Sequence, residues 1–272
     1  MKNKIIKIIE IVLVVCIIFS GYKIFDYYKS NKEFEKDNSI YKELVENSED
    51  KLKNGELDLA NSDDSSDKEA FQSEKSIKRR KIDELNKRIV YDPSFVKSLN
   101  DSYKNVIGRI IIEGTDIDFP IVQGQDNDFY LDHNYKNEYH VFGAIFMDYR
   151  NSIDFSDLNT VLYGHNVRSG HVFNDLVKYN DENVVNGQPY IIVDTLNERK
   201  IYEIYAVYST SAYTDYRKPF YEGEALDNFL ARINEANKLS KTIEKTDDLS
   251  ILTLSTCSDE DDRLAIHAVE VK

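Results

Sequence analysis

The chain has 272 residues, 41% of them hydrophobic and 31% charged, so it can build a sizeable core while part of it stays in water. Its formal net charge of −14 argues against nucleic acid as a partner, because phosphate binding needs a basic face. Its two cysteines are Cys16 and Cys257. Cys16 lies in an apolar N-terminal run, so the rest of the chain carries one thiol and can form no internal disulfide. A lone cysteine of this kind is either a small buried hydrophobe or a reactive group.

Lys2, Lys4 and Lys7 precede an apolar stretch that is unbroken from Ile11 to Phe19 and continues loosely to Phe25. A spanning helix needs about 20 apolar residues, and Glu10 is the cost here. Ser20-Gly21-Tyr22 is a poor match to a signal-peptidase site. Residues 1–26 are therefore expected to be an uncleaved single-pass membrane anchor, with the N-terminus in the cytoplasm and the rest outside. Residues 27–84 offer little core material. Nine acidic and three basic side chains fall in residues 46–69, and Asn61 to Asp67 is low in complexity. The segment reads as an acidic, polar stalk with some helical content, holding the next domain off the membrane. Within it, residues 75–88 turn basic and carry Ile77, Ile82 and Leu85, followed by Ile89, at roughly helical spacing, which predicts a helix packed on the following domain.

From Val106 the pattern becomes β. Strands are predicted at 106–112, 117–122, 144–147, 160–163, 190–195, 200–209, 250–256 and 264–271, with a hairpin across 196–199. Between the last two pairs, Ala225, Leu226, Phe229, Ile233 and Ala236 mark an amphipathic helix over 222–239. The fold class is mainly β with helical additions: about eight short strands in a closed or nearly closed barrel, with N-terminal helices and one long helix before the penultimate strand.

The chemistry gathers at the C-terminal hairpin. Leu252-Thr253-Leu254-Ser255-Thr256-Cys257 is a strand ending on a thiol, and Arg263 opens the next strand. A nucleophile and a fixed cation at one sheet edge suit attack on a carbonyl and stabilisation of its oxyanion. Arg263 could equally pair with Asp259 to Asp262. The best partner for the thiol is His165, just past a strand end in Tyr163-Gly164-His165-Asn166, where it is positionable as acid or base. His171 is not at a zinc spacing, and His133, His140 and His267 read as structural or solvated. Asp259 to Asp262 and the looser group Asp126, Asp128 and Asp132 lack the glycine and terminal glutamate of an EF-hand, so no metal is expected.

These residues resemble the sortases, cysteine transpeptidases that attach proteins to Gram-positive cell walls. Thr253-Leu254-Ser255-Thr256-Cys257 is similar to their T-L-x-T-C motif, His165 matches their catalytic histidine and Arg263 their catalytic arginine. The stretches 114–123, 126–131, 143–151 and 164–179 resemble class B in particular, and the likeness covers roughly residues 85–272, the expected catalytic domain. Two departures stand out. Arg263 follows Cys257 by six residues, a shorter gap than the class usually shows, and Arg109 stands where a tryptophan is common. The resemblance implies that Cys257 cleaves a C-terminal sorting signal after its threonine and passes the thioacyl-held protein to a peptidoglycan-precursor amine. It places Ser255 and Thr256 beside the bound motif and requires no cofactor. The competing readings are a hydrolytic cysteine peptidase and a non-catalytic, surface-anchored β-barrel binding module. The papain order of Cys before His and the caspase pattern are both absent.

Overall fold

A computed structural model describes residues 2–55, 74–167, 169–257 and 262–271. The low-complexity run 61–67 and residues 258–261 lie outside these.

Eight strands close into a barrel: β1 (Val106–Ile112), β2 (Asp118–Gln123), β3 (Ile145–Met147), β4 (Asn159–Gly164), β7 (Tyr190–Thr195), β8 (Arg199–Ser211), β9 (Ile251–Cys257) and β10 (Asp262–Glu270). Around the wall the order is β1-β2-β3-β4-β9-β10-β8-β7, and β7 pairs back onto β1. A small hairpin of β5 (Asn166–Val167) and β6 (His171–Val172) follows β4, and a short α4 (Glu182–Gly187) leads into β7. The pairs β2–β3 and β4–β9 are parallel, and the other pairs in the wall are antiparallel. Alternation explains why these runs are strands: Ile110, Ile112, Ile121, Leu162, Ile191, Val193, Leu252, Leu254 and Ile266 all join one core. Burying each such side chain contributes roughly 1.5–3 kcal/mol.

The outer faces of several strands are also covered, which is why β1 is buried at every position. α2 (Glu74–Arg88) lays Leu85 and Ile82, with Ile89 just past its end, against Ile111, Tyr190, Ile192 and Ile201. α5 (Gly223–Ala236) sets Leu226, Phe229, Leu230 and Ile233 over Ala206, Tyr208, Ile251 and Ala265. Both helices stand where their apolar spacing predicts them, within a few residues.

Beneath α5 lies His267, fully buried, between the Tyr208 hydroxyl (2.9 Å) and the Thr253 hydroxyl (2.8 Å). Its structural reading is correct. Burial pushes its pKa down to about 3. The folded protein therefore keeps this ring neutral, while the unfolded chain takes up a proton below about pH 6.5. The unfolded state binds more protons between those values, so this group's contribution to stability is complete above pH 6.5 and declines as pH falls. A loss of about 2 kcal/mol is expected from pH 6.5 to 5, at about 1.4 kcal/mol per unit. Urea melts across that range should show a shallower slope for His267→Gln.

α1 (Lys2–Gly55) departs most from expectation. Its first part is apolar and exposed, and it is the one helix among the described residues long and apolar enough to cross a membrane. Its second part is not a solvated spacer. Ser30, Tyr41 and Val45 are buried, and Phe34 packs on Phe119, Phe142 and His171. Tyr27, Phe34 and Tyr41 recur every seven residues, a stripe that the surrounding charge hides in composition.

Arg109 gains its meaning here. It is buried and makes a bidentate pair to Asp118 (2.7 and 2.6 Å), which also accepts the Tyr41 hydroxyl of α1 (3.2 Å). The guanidinium lies over Phe95 of α3 (Pro93–Ser102). That helix was missed, although Asp92-Pro93 is a start signal: Asp92 accepts the Ser94 N–H at 2.8 Å. Arg109→Ala should cost about 2–3 kcal/mol, below the figure for a fully buried pair because the Asp118 left behind is partly exposed and keeps the Tyr41 hydroxyl, read as a drop in the urea midpoint.

Candidate active site

The sheet register assembles the site. In the parallel β4–β9 ladder, Gly164 lies opposite Thr256, so His165 and Cys257 each stand one residue further on at the ends of neighbouring strands. In the antiparallel β9–β10 ladder, Cys257 lies opposite Arg263. Adjacent strands are about 5 Å apart, so three residues spread over 98 positions of sequence share one barrel edge. Residues 258–261, three of them acidic, fall outside the described part. Arg263 is half-buried and donates to the Asp262 carbonyl at 2.9 Å.

His165 is fixed by its backbone and by its ring. Its carbonyl accepts the Phe173 N–H at 3.0 Å, and Nε2 lies 2.7 Å from the Leu131 carbonyl. A carbonyl can only accept, so in this contact Nε2 carries the proton and the neutral ring keeps its basic lone pair on Nδ1. Just before it, Gly164 lies so close to Phe173 that an added Cβ would meet the ring at 2.6 Å. Gly164→Ala should move Phe173 and His165 together and lower kcat/KM up to about a hundredfold, as a sub-ångström to ångström misplacement does. Peptide-cleavage kinetics beside a thermal melt would check it.

His165, Arg263 and Ser255 line one cleft of about 240 Å³, with Asn127, Tyr163 and Arg217 among its other walls. Ser255 is nearly buried, its hydroxyl 2.8 Å from that of Tyr216. Thr256 is not at the cleft: it is buried inside the wall, and its hydroxyl has no hydrogen-bond partner. Of the two residues expected beside a substrate, Ser255 lines this cleft and Thr256 does not.

Sequence reasoning missed the support of this cleft. Asp148, fully buried, accepts Arg150 bidentately (2.8 and 2.7 Å), the Tyr163 hydroxyl (2.8 Å) and the Asn127 side-chain amide (3.0 Å). Arg150 also donates to the Arg217 carbonyl at 2.8 Å. Burial pushes the Asp148 carboxyl up, but the hydrogen bonds from Arg150 and Tyr163 outweigh it and hold it below the ordinary carboxylate value. One buried carboxylate thus ties down three walls. The signal was the Asp148-x-Arg150 pair directly after a short strand.

The other polar groups are structural. Asp126 accepts the Asp128 and Phe129 N–H groups, both at 2.9 Å, and closes a turn. Among the described residues no cluster of three or more His, Cys, Asp or Glu side chains is placed to hold a metal. His133 stacks on Phe129 at 4.0 Å, and His140 and His171 meet α1 through the Ser30 carbonyl (2.9 Å) and Asn31 (3.1 Å).

Comparison with known proteins gives the family. Residues 110–271 match the sortase domain family. Sortase B of Listeria monocytogenes is 37% identical over 170 residues, 61% of this chain and 68% of that protein. Sortase B of Staphylococcus aureus is 27% identical over 258 residues, 94% of this chain and 91% of that protein. The solved Staphylococcus aureus sortase B–substrate complex superposes with a TM-score of 0.63 at 25% identity, covering 73% of this chain and 94% of that one. For Clostridium perfringens sortase B the TM-score is 0.59 at 32% identity, with 65% and 99% covered. Fold and sequence therefore agree, and the chain belongs to the sortases, as a class B cysteine transpeptidase of the cell wall.

Proposed function

We propose that this sortase is held in the membrane by residues 1–26, with its N-terminus in the cytoplasm, and acts outside on proteins bearing a C-terminal sorting signal. The three lysines before the apolar run support that orientation. The catalytic domain of this reading spans residues 85–272, and residues 27–84 link it to the anchor, the docked part of α1 included.

The Cys257 thiolate adds to the carbonyl carbon of the signal's threonine, and Arg263, always charged, balances the oxyanion. The tetrahedral intermediate collapses by breaking the C–N bond. His165, as imidazolium, gives its proton to the departing amine and leaves a thioacyl-enzyme. A peptidoglycan-precursor amine then attacks the thioester, neutral His165 takes its proton, and the Cys257 thiolate departs as the new amide forms. Ser255, Asn127, Tyr163 and Arg217 border the path of the bound peptide. The observation that carries this reading is the register placing residue 165 beside 257, with 263 across from 257. A Staphylococcus aureus sortase B is known in complex with a substrate, which supports a substrate-binding role for this chain.

Intact mass of the protein after incubation with peptides of the N-P-Q-T-N, N-P-x-T-G, S-P-x-T-G and L-P-x-T-G types tests it. The expected result is an acyl adduct absent in Cys257→Ala and discharged by an added amine into a ligated product. Discharge to water alone, with amine present, would favour a hydrolase. No adduct with any peptide, together with an unreactive Cys257, would sink the enzymatic role of this thiol.

A further inference from the structure

The junction between α1 and the barrel carries a surface that the catalytic reading leaves unused. α1 is continuous from Lys2 to Gly55, and no proline or glycine interrupts residues 22–54. The apolar run ends at Phe25, and docking begins at once. Tyr27 packs edge-on against Phe142 at 5.3 Å, and Ser30 is buried with its carbonyl on His140. At 1.5 Å per residue, Phe25 to Tyr27 is about 3 Å of rise and Phe25 to Ser30 about 8 Å. No free length of chain separates a membrane span from the barrel.

Large aromatic side chains crowd this junction and face outward. Tyr22, Phe25, Tyr28 and Tyr139 are 62%, 65%, 59% and 56% exposed, and Tyr27 is 42% exposed. Tyr139 belongs to the barrel, in the loop between Leu131 and Phe142, and shares a surface cleft with Lys29 and Glu33 of α1. Partial desolvation and the charges of Asp26, Asp132 and Tyr22 hold its phenol above the ordinary value, consistent with residues 22 and 26 lying close by. Lys23 and Lys32 lie over the rings of Phe19 and Tyr28, at 5.8 and 5.1 Å. Tyrosines with flanking lysines at the end of an apolar helix are the composition of a membrane–water interface. The same loop reaches the catalytic cleft, because Leu131 holds His165, and Tyr27 and Phe142 line a surface hollow with His165 and Asn166.

We propose that Tyr139 and the Tyr22–Tyr28 turns of α1 form one contact with the headgroup layer of the phospholipid bilayer in which the chain's own helix stands, so that the cleft opens beside the membrane surface. This rests on the anchored reading of residues 1–26. The occupant follows from continuity: the patch runs on from the apolar face of α1 without a break. The barrel is seated at the membrane, and peptide and amine are met at headgroup height.

The chain has no tryptophan, so single reporters read this directly. Full-length Tyr139→Trp, Phe19→Trp and Asn197→Trp would each be reconstituted in phosphatidylcholine–phosphatidylglycerol vesicles with and without brominated acyl chains. Asn197 is the control, exposed in the β7–β8 turn at the barrel end away from Ser211 and Asp262. The expected result for Tyr139→Trp is blue-shifted emission quenched roughly twofold by shallow bromines, as for a ring about 5–10 Å into the headgroup boundary. The Phe19→Trp protein should be quenched by deeper bromines and the Asn197→Trp protein by neither. Quenching in Phe19→Trp with water-like, unquenched emission from Tyr139→Trp overturns the surface contact alone. A blue shift in Tyr139→Trp that bromolipid leaves unquenched means a protein cover and also overturns it. Unquenched emission from Phe19→Trp removes the anchor, and the contact with it.

Discussion

His165→Ala is expected to lower kcat/KM for sorting-peptide cleavage by about a thousandfold, mid-range for loss of a positioned acid–base group. The thioester step needs a proton on the leaving amine, and the discharge step needs one taken from the incoming amine, so both halves suffer. Folding should be spared, since the ring is only half-buried. Pre-steady-state mass spectrometry separates the halves. A variant that acylates normally and stalls only in transfer would show that another group protonates the leaving amine. His165→Gln, which can keep the Leu131 contact, should be as impaired as the alanine variant if proton transfer is the role, and largely active if the ring merely props the loop.

Asp148→Asn should lose about 2–3 kcal/mol of stability. That is below the 3–5 kcal/mol for breaking a fully buried pair, because Arg150 is 41% exposed and water can take up part of its charge. The deficit has a pH signature. Asp148 is held below the ordinary carboxylate value of 3.8 in the folded state, so its contribution is present above that value and lost as pH falls through the folded one. Wild type and variant should therefore converge in stability on the acid side of about pH 3.8 and differ most near neutrality. In kinetics the variant should show a raised KM with a smaller change in kcat, since Asn127, Tyr163 and Arg217 wall the cleft without joining the bond-making steps. Alkylation of Cys257 by a small reagent, which needs no walls, should proceed at nearly the wild-type rate.

Much of the barrel was legible because period-two alternation survives in short strands; the observed strand ends differ from the expected ones by a residue or two, as at Asn159 and Ser211. The three expected catalytic residues could be singled out because Cys257 and Arg263 flank one turn and His165 follows a strand. Their convergence was not legible, since it depends on β4 and β9 pairing in parallel across 92 residues of sequence. Thr256 shows the limit of reasoning by nearness: next to Cys257 in the chain, it faces the packed interior because neighbouring strand residues alternate. Asp148 escaped because a lone aspartate in a turn looks solvated until Tyr163, Asn127 and Arg150 are seen to close on it. The docked half of α1 escaped for the opposite reason, its three aromatics being diluted by charge.

The placement of β10 in the wall has a consequence in time. It lies between β8 and β9, although both precede it in the chain. A polypeptide emerging N-terminus first presents His165 and then Cys257 while the sheet still has a gap one strand wide, lined by the open edges of Leu254 and Val207. Until residues 262–270 pair into that slot, Cys257 has no residue across from it and β9 has an unpaired side. The pairing that brings residue 263 across from Cys257 is therefore made by the step that seals the barrel. Long-range closure of this kind is slow.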